Sequence, residues 1–102
     1  MAMPVLSLLL LPLTVAASDV VPTFNVEPSC RGGLSDSKDS ERLQRCLAEE
    51  AAARAQLQAG WANFPAGDRT NCVAAARIST PSYVELLTCL EMAVAARKNP
   101  AQ

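Results

Sequence analysis

Histidine is absent from the chain, which removes the commonest general base and the commonest nitrogen ligand for a metal. Aromatic side chains are scarce: Phe24, Trp61, Phe64 and Tyr83 are the full set. Neither sign of charge dominates, with nine Lys and Arg against ten Asp and Glu. Nucleic-acid binders need a basic face that attracts phosphates and releases their counterions, so no such partner is expected. No Cys-x-x-Cys pair occurs, and the four cysteines follow one another at intervals of sixteen, twenty-six and seventeen residues. A cysteine zinc site wants ligand pairs with about two to four residues between them, and a redox dithiol wants Cys-x-x-Cys. A nucleophilic cysteine wants an activating base, usually histidine. Metal, redox and thiol-nucleophile chemistry are therefore not expected, and neither is a cofactor.

What is present falls into three parts. Residues 1–17 read as a secretory signal peptide. Met1 to Ser18 carry no charged side chain, Val5 to Leu13 form an apolar run broken only by Ser7 and Pro12, and Val15-Ala16-Ala17 offers the small residues of a cleavage site. That run falls short of the roughly 20 residues needed to cross about 30 Å of hydrocarbon, so a signal is preferred over a membrane anchor. Cleavage after Ala17 leaves about 85 residues with no membrane span. The expected location is outside the cytoplasm, in a periplasm or secreted. A domain of this size has a thin core, and disulfides in an oxidising space are the usual remedy.

Residues 18–36 read as an extended arm, because Pro22 and Pro28 break helices and Arg31-Gly32-Gly33 signals a turn. Val20, Val21, Phe24 and Val26 give the arm apolar side chains to lay on the helices, the other reading being a disordered spacer before Cys30. Residues 37–99 read as helical. Ser35, Asp36 and Ser37 offer capping oxygens, with Asp39 and Glu41 in the first turn. A helix is expected over about 38–63. It carries Leu43, Cys46, Leu47, Ala53, Leu57, Trp61 and Phe64 on one face at steps of three and four. Pro65-Ala66-Gly67 ends it. Asp68 can cap a second helix over about 69–78, and Thr80-Pro81 can open a third, with Ser82 and Glu85 as an alternative capping box. Tyr83, Leu86, Leu87, Leu90, Ala93 and Val94 form the apolar face of the third, Arg97 and Lys98 suit its C-terminal dipole, and Pro100 stops it. The fold class is all-α: a small, disulfide-stapled helical hairpin or three-helix domain behind a cleaved signal peptide.

Cys30, Cys46, Cys72 and Cys89 allow three pairings, and geometry separates them. In a continuous first helix Cys46 lies about 27 Å from Phe64 at ~1.5 Å per residue. Cys72 follows Phe64 too closely to return that far without being fully extended, so Cys46–Cys72 is disfavoured. Cys46–Cys89 would leave Cys30 and Cys72 near opposite ends of the helix. The pairing expected is Cys30–Cys46 and Cys72–Cys89. Each closes a loop of about sixteen residues, worth roughly 3 kcal/mol in the chain-entropy model.

Two further features bear on function. Trp61-x-x-Phe64 is a candidate aromatic anchor for a partner, although a chain with so few aromatics needs them in its core. Glu50 and Arg54 share the apolar face four residues apart, as an ordinary helical ion pair or, alternatively, as a polar constellation in the helix interface. Nothing frames a catalytic cleft, and no enzyme activity is expected.

Cys46-Leu-x-x-Glu50, Ala53-Arg54-x-x-Leu57, Trp61-x-x-Phe64, Arg69-x-x-Cys72 and the run Ser82 to Met92 resemble small exported cysteine-containing proteins of rhizobia and related alphaproteobacteria. The resemblance covers roughly residues 30–98 and implies a bacterial, periplasmic setting without implying an activity. The order Trp61, Phe64, Arg69, Cys72, Cys89 is also similar to the LprI-type lysozyme-inhibitor-like domain. The chain departs from that pattern where Pro65-Ala66-Gly67 interrupts the run and where the stretch from Cys72 to Cys89 is not glycine-rich. The expected function is a non-catalytic, macromolecule-binding module of the cell envelope. The alternatives are a lysozyme or cell-wall hydrolase inhibitor and a structural or stress-related periplasmic protein.

Overall fold

The computed structural model describes residues 3, 19–32, 39–78 and 80–99. The signal segment apart from Met3, the capping candidates Ser35, Asp36 and Ser37, and also Gly33 and Pro100, lie outside the described residues. Among the described residues there are helices and no strands: α1 (Glu27–Arg31), α2 (Asp39–Gly60), α3 (Ala66–Ile78) and α4 (Tyr83–Lys98), with a 3-10 turn at Trp61–Asn63 continuing α2. The fold is all-α and disulfide-stapled. Cys30 bonds Cys46 and Cys72 bonds Cys89, with Cα separations of 5.6 Å and 5.7 Å. This is the pairing expected from the length of α2.

The long helix forms where alanine, leucine, glutamate, glutamine and arginine are concentrated, and Phe64 leaves it in an extended conformation before Pro65. Its inner face buries Ala53, Leu57 and Trp61; α3 contributes Cys72, Val73 and Ala76; α4 contributes Tyr83, Leu86 and Leu90. Leu57, Leu86 and Leu90 are fully enclosed, each contributing roughly 1.5–3 kcal/mol through removal of apolar surface from water. Helix α4 packs on both α2 and α3. It runs antiparallel to α3, since Cys72 meets Cys89 and Asp68 meets Arg97.

Three local expectations are corrected. The arm is not irregular throughout: residues 21–26 have no regular structure, and Glu27–Arg31 then turn into α1. Pro28 does not break that helix because it stands in the first turn, where a missing N–H costs no helical bond. Helix α3 starts three residues early, at Ala66, with the Pro65 carbonyl accepting the Arg69 N–H at 3.0 Å. Asp68 is thus inside the first turn and not its cap. Helix α4 starts after Ser82 and not at Thr80-Pro81: Ser82 is extended, and its Oγ accepts the Glu85 N–H at 3.2 Å.

Candidate functional site

The densest polar chemistry gathers where α4 begins. Glu50 sits on the inner face of α2 and is buried. Its carboxylate accepts the Ser82 hydroxyl at 2.5 Å and the Tyr83 N–H at 2.6 Å. The N-terminus of α4 leaves N–H groups without helical partners, and a carboxylate there is favoured by the helix dipole as well. Glu50 therefore caps a helix distant in sequence, with Ser82 relaying one of the bonds. Arg54 is not paired with Glu50 as an i, i+4 neighbour. Its guanidinium lies over the Tyr83 ring, 5.6 Å from the centroid. The ion-pair reading is not met, and of the polar constellation only Glu50 lies buried in the interface, while Arg54 is exposed and reaches the cluster through the Tyr83 ring.

Tyr83 is the second half of the cluster. It is buried, and its hydroxyl accepts the Phe24 N–H at 2.8 Å while donating to the Pro22 carbonyl at 2.9 Å. The Phe24 ring lies 5.0 Å from the Tyr83 ring, with Arg77 above it at 5.7 Å. The Ser29 hydroxyl donates to the Pro81 carbonyl at 2.6 Å. A buried backbone segment without secondary structure needs partners for its N–H and C=O groups, and Tyr83 provides one of each. The arm is thereby seated with Phe24 in the core and Val21 and Val26 against it.

The remaining candidates separate. Trp61 is buried at the foot of the core beneath Arg69, whose guanidinium lies 5.8 Å from the ring centroid, and Phe64 is half-buried beside that core. These positions favour core packing over an exposed anchor. At the far end of α4, Arg97 grips Asp68 with two hydrogen bonds, Nη2 to Oδ1 at 2.6 Å and Nη1 to Oδ2. Those bonds, and after them the charge of Arg97, outweigh desolvation and hold the Asp68 carboxyl below its ordinary range. The Arg97 guanidinium is raised in turn.

Chemically this cluster holds things in place. Both Glu50 oxygens accept internal donors, the Tyr83 hydroxyl both donates and accepts internally, and all four thiols are in disulfides. Sequence reasoning placed Glu50 on the apolar face and Ser82 at a helix start but did not join them, and it missed the Tyr83 bonds to Glu50 and Phe24 and the Ser29 bond to Pro81. The available signal was a lone carboxylate amid leucines and alanines, which demands buried donors from another element. No helix among the described residues is long and apolar enough to cross a membrane. Comparison with protein-family models, with curated proteins and with solved structures finds no match.

Proposed function

We propose that this chain is an exported, disulfide-stapled module of the cell envelope that acts by binding another macromolecule rather than by catalysis. One observation carries the reading: its cysteine sulfurs and its buried carboxylate Glu50 are engaged in holding the scaffold. What such a scaffold offers to its surroundings is a rigid surface. Two disulfides fit an oxidising compartment, and the apolar, uncharged first seventeen residues fit a signal for reaching it.

The export half is tested on protein recovered from outside the cytoplasm. No Lys or Arg precedes Arg31, so the tryptic peptide that ends at Arg31 reports the mature N-terminus directly. A peptide starting near Ser18 is expected; one starting at Met1 contradicts export with cleavage. The binding half is tested by crosslinking the oxidised protein in intact cells. A discrete crosslinked species containing a second macromolecule is expected, and recovery of uncrosslinked monomer alone counts against it.

A further inference from the structure

Helix α4 is apolar on more sides than its neighbours can cover. Its inner side chains pack on α2 and α3, yet Val84 is 39% and Met92 67% exposed. Val84, Thr88, Met92 and Ala95 follow at steps of four, four and three, so they form one stripe along the outer face. Open grooves run beside this stripe. One, of about 390 Å³, is lined by Val84, Glu85, Thr88, Cys89 and Met92. A second, of about 330 Å³, lies between α2 and α4, with Glu49, Ala52 and Gln56 facing Val84, Leu87 and Thr88. The two share Val84 and Thr88, and the stripe continues past Met92 to Ala95 and Ala96. Thr88 adds little polarity, because its hydroxyl donates to the Val84 carbonyl at 2.8 Å in its own helix.

The charged residues that line the grooves have one sign. Glu49 and Glu85 line the grooves, and Glu91 stands between Thr88 and Ala95 on the same exposed side of α4. Among the described residues no Lys or Arg lines any of these three grooves. Arg45, one turn before Glu49, and Lys98, at the end of α4, stand beyond them. A second copy of this chain is a poor occupant, since a two-fold contact sets one acidic rim against the same acidic rim. An anionic lipid surface is repelled for the same reason.

We infer that this face docks a cationic amphipathic helix of another protein, with an apolar stripe seated on Val84, Thr88 and Met92 and Lys or Arg reaching Glu49, Glu85 and Glu91. From Val84 to Ala95 the stripe is about 17 Å long at ~1.5 Å per residue, which matches three turns of a partner helix. Small residues at Ala52, Ala95 and Ala96 let a second helix approach closely, and rows spaced by four residues are the ridges that helix packing uses. The inference deepens the macromolecule-binding reading and rests on it.

The test uses the oxidised mature protein and three synthetic helical peptides of about 18 residues. One has a Leu/Ala stripe flanked by Lys, one has Glu in place of each Lys, and one has the Lys/Leu composition scrambled. The Lys-flanked helix is expected to bind at least about tenfold more tightly than either control and to weaken as salt screens the rim. Val84→Ser with Met92→Ser should weaken it by about tenfold or more. Glu49→Lys with Glu91→Lys should shift preference to the Glu-flanked peptide. All four positions but Val84 are well exposed, and unchanged thermal midpoints confirm intact folding in both variants. No binding, equal binding of the scrambled peptide, or indifference to both variants overturns the inference. So does a wild-type dimer in sedimentation that Met92→Lys separates, which would make a second copy the occupant. The crosslinking experiment in cells separates the two levels. A partner still captured at wild-type yield by the Val84→Ser, Met92→Ser variant leaves the binding module standing and removes this surface. Absence of any partner falls on the broader reading.

Discussion

The two disulfides close loops of nearly equal length, 16 and 17 residues, yet they serve regions held by different forces. Cys72–Cys89 joins two helices that already share an apolar interface through Val73, Ala76, Leu86 and Leu90. Cys30–Cys46 joins α2 to α1, the short helix that ends an otherwise irregular arm, and the arm is fixed by buried hydrogen bonds to Tyr83 and a part-buried one to Pro81. Periodic segments bury side chains and satisfy their own backbone. An aperiodic segment must borrow donors and acceptors from its neighbours, and the start of α4 lends them.

The largest expected effect tests whether each staple is redundant with its region. In the chain-entropy model, replacing either pair by serine costs roughly 3 kcal/mol, read as a lowered midpoint in denaturant. The comparison predicts a difference in kind. Without Cys30–Cys46 the arm stays seated, and the Phe24 amide remains slow to exchange with solvent. Fast exchange there would mean that the disulfide alone held the arm. Without Cys72–Cys89 the loss is spread over the α3–α4 interface and opens position 72, where the wild-type cysteine is buried, to solvent.

Next comes Glu50→Ala, which leaves the buried Tyr83 N–H without its acceptor and costs about 1–3 kcal/mol. Glu50→Gln can still accept from Tyr83 and should cost less. Equal effects of the two substitutions would show that charge, and not the cap geometry, is what matters. Tyr83→Phe is smaller in reach. It keeps the ring against Phe24 but removes the bridge to Pro22 and Phe24, costing about 1–3 kcal/mol. Its signature is proteolytic cleavage in residues 19–26 with the three long helices intact, and global unfolding at the same denaturant concentration as cleavage would contradict a separately held arm.

The smallest effect belongs to Asp68→Asn on the exposed α3–α4 ion pair. Because Arg97 lowers the Asp68 pKa, the pair stabilises above the ordinary carboxylate range, and that contribution is lost as pH falls through the depressed value. The wild type should therefore lose more stability on acidification than Asp68→Asn. Parallel pH curves for the two proteins would remove Asp68 from the acid response.

The same contrast explains what could be read before the structure. Leu57, Leu86 and Leu90 lie on stripes with helical spacing, and the stripes led directly to the helices, their faces and the disulfide pairing. The capping positions were less legible: Ser82 and Thr80 both fit a helix start, and only the distant Glu50 decides for Ser82. The Tyr83 hub was not legible. Its partners lie 61 and 59 residues away and are backbone atoms of Pro22 and Phe24, which no side-chain pattern announces. The uncovered outer face of α4 was half legible: Val84 and Met92 stand off the apolar face formed by Tyr83, Leu86, Leu87, Leu90, Ala93 and Val94, but only the packing shows that they stay exposed.

The scaffold claim as a whole is tested most directly by a tryptic map under non-reducing conditions, on protein recovered from outside the cytoplasm. Arg31, Arg45, Arg54, Arg69, Arg77 and Arg97 put each cysteine on its own peptide. The account predicts two linked species, the peptide ending at Arg31 with Cys46–Arg54 and the peptide Thr70–Arg77 with Ile78–Arg97, and no free thiol. Any other linkage, or a cysteine that reacts with an alkylating reagent before reduction, contradicts it.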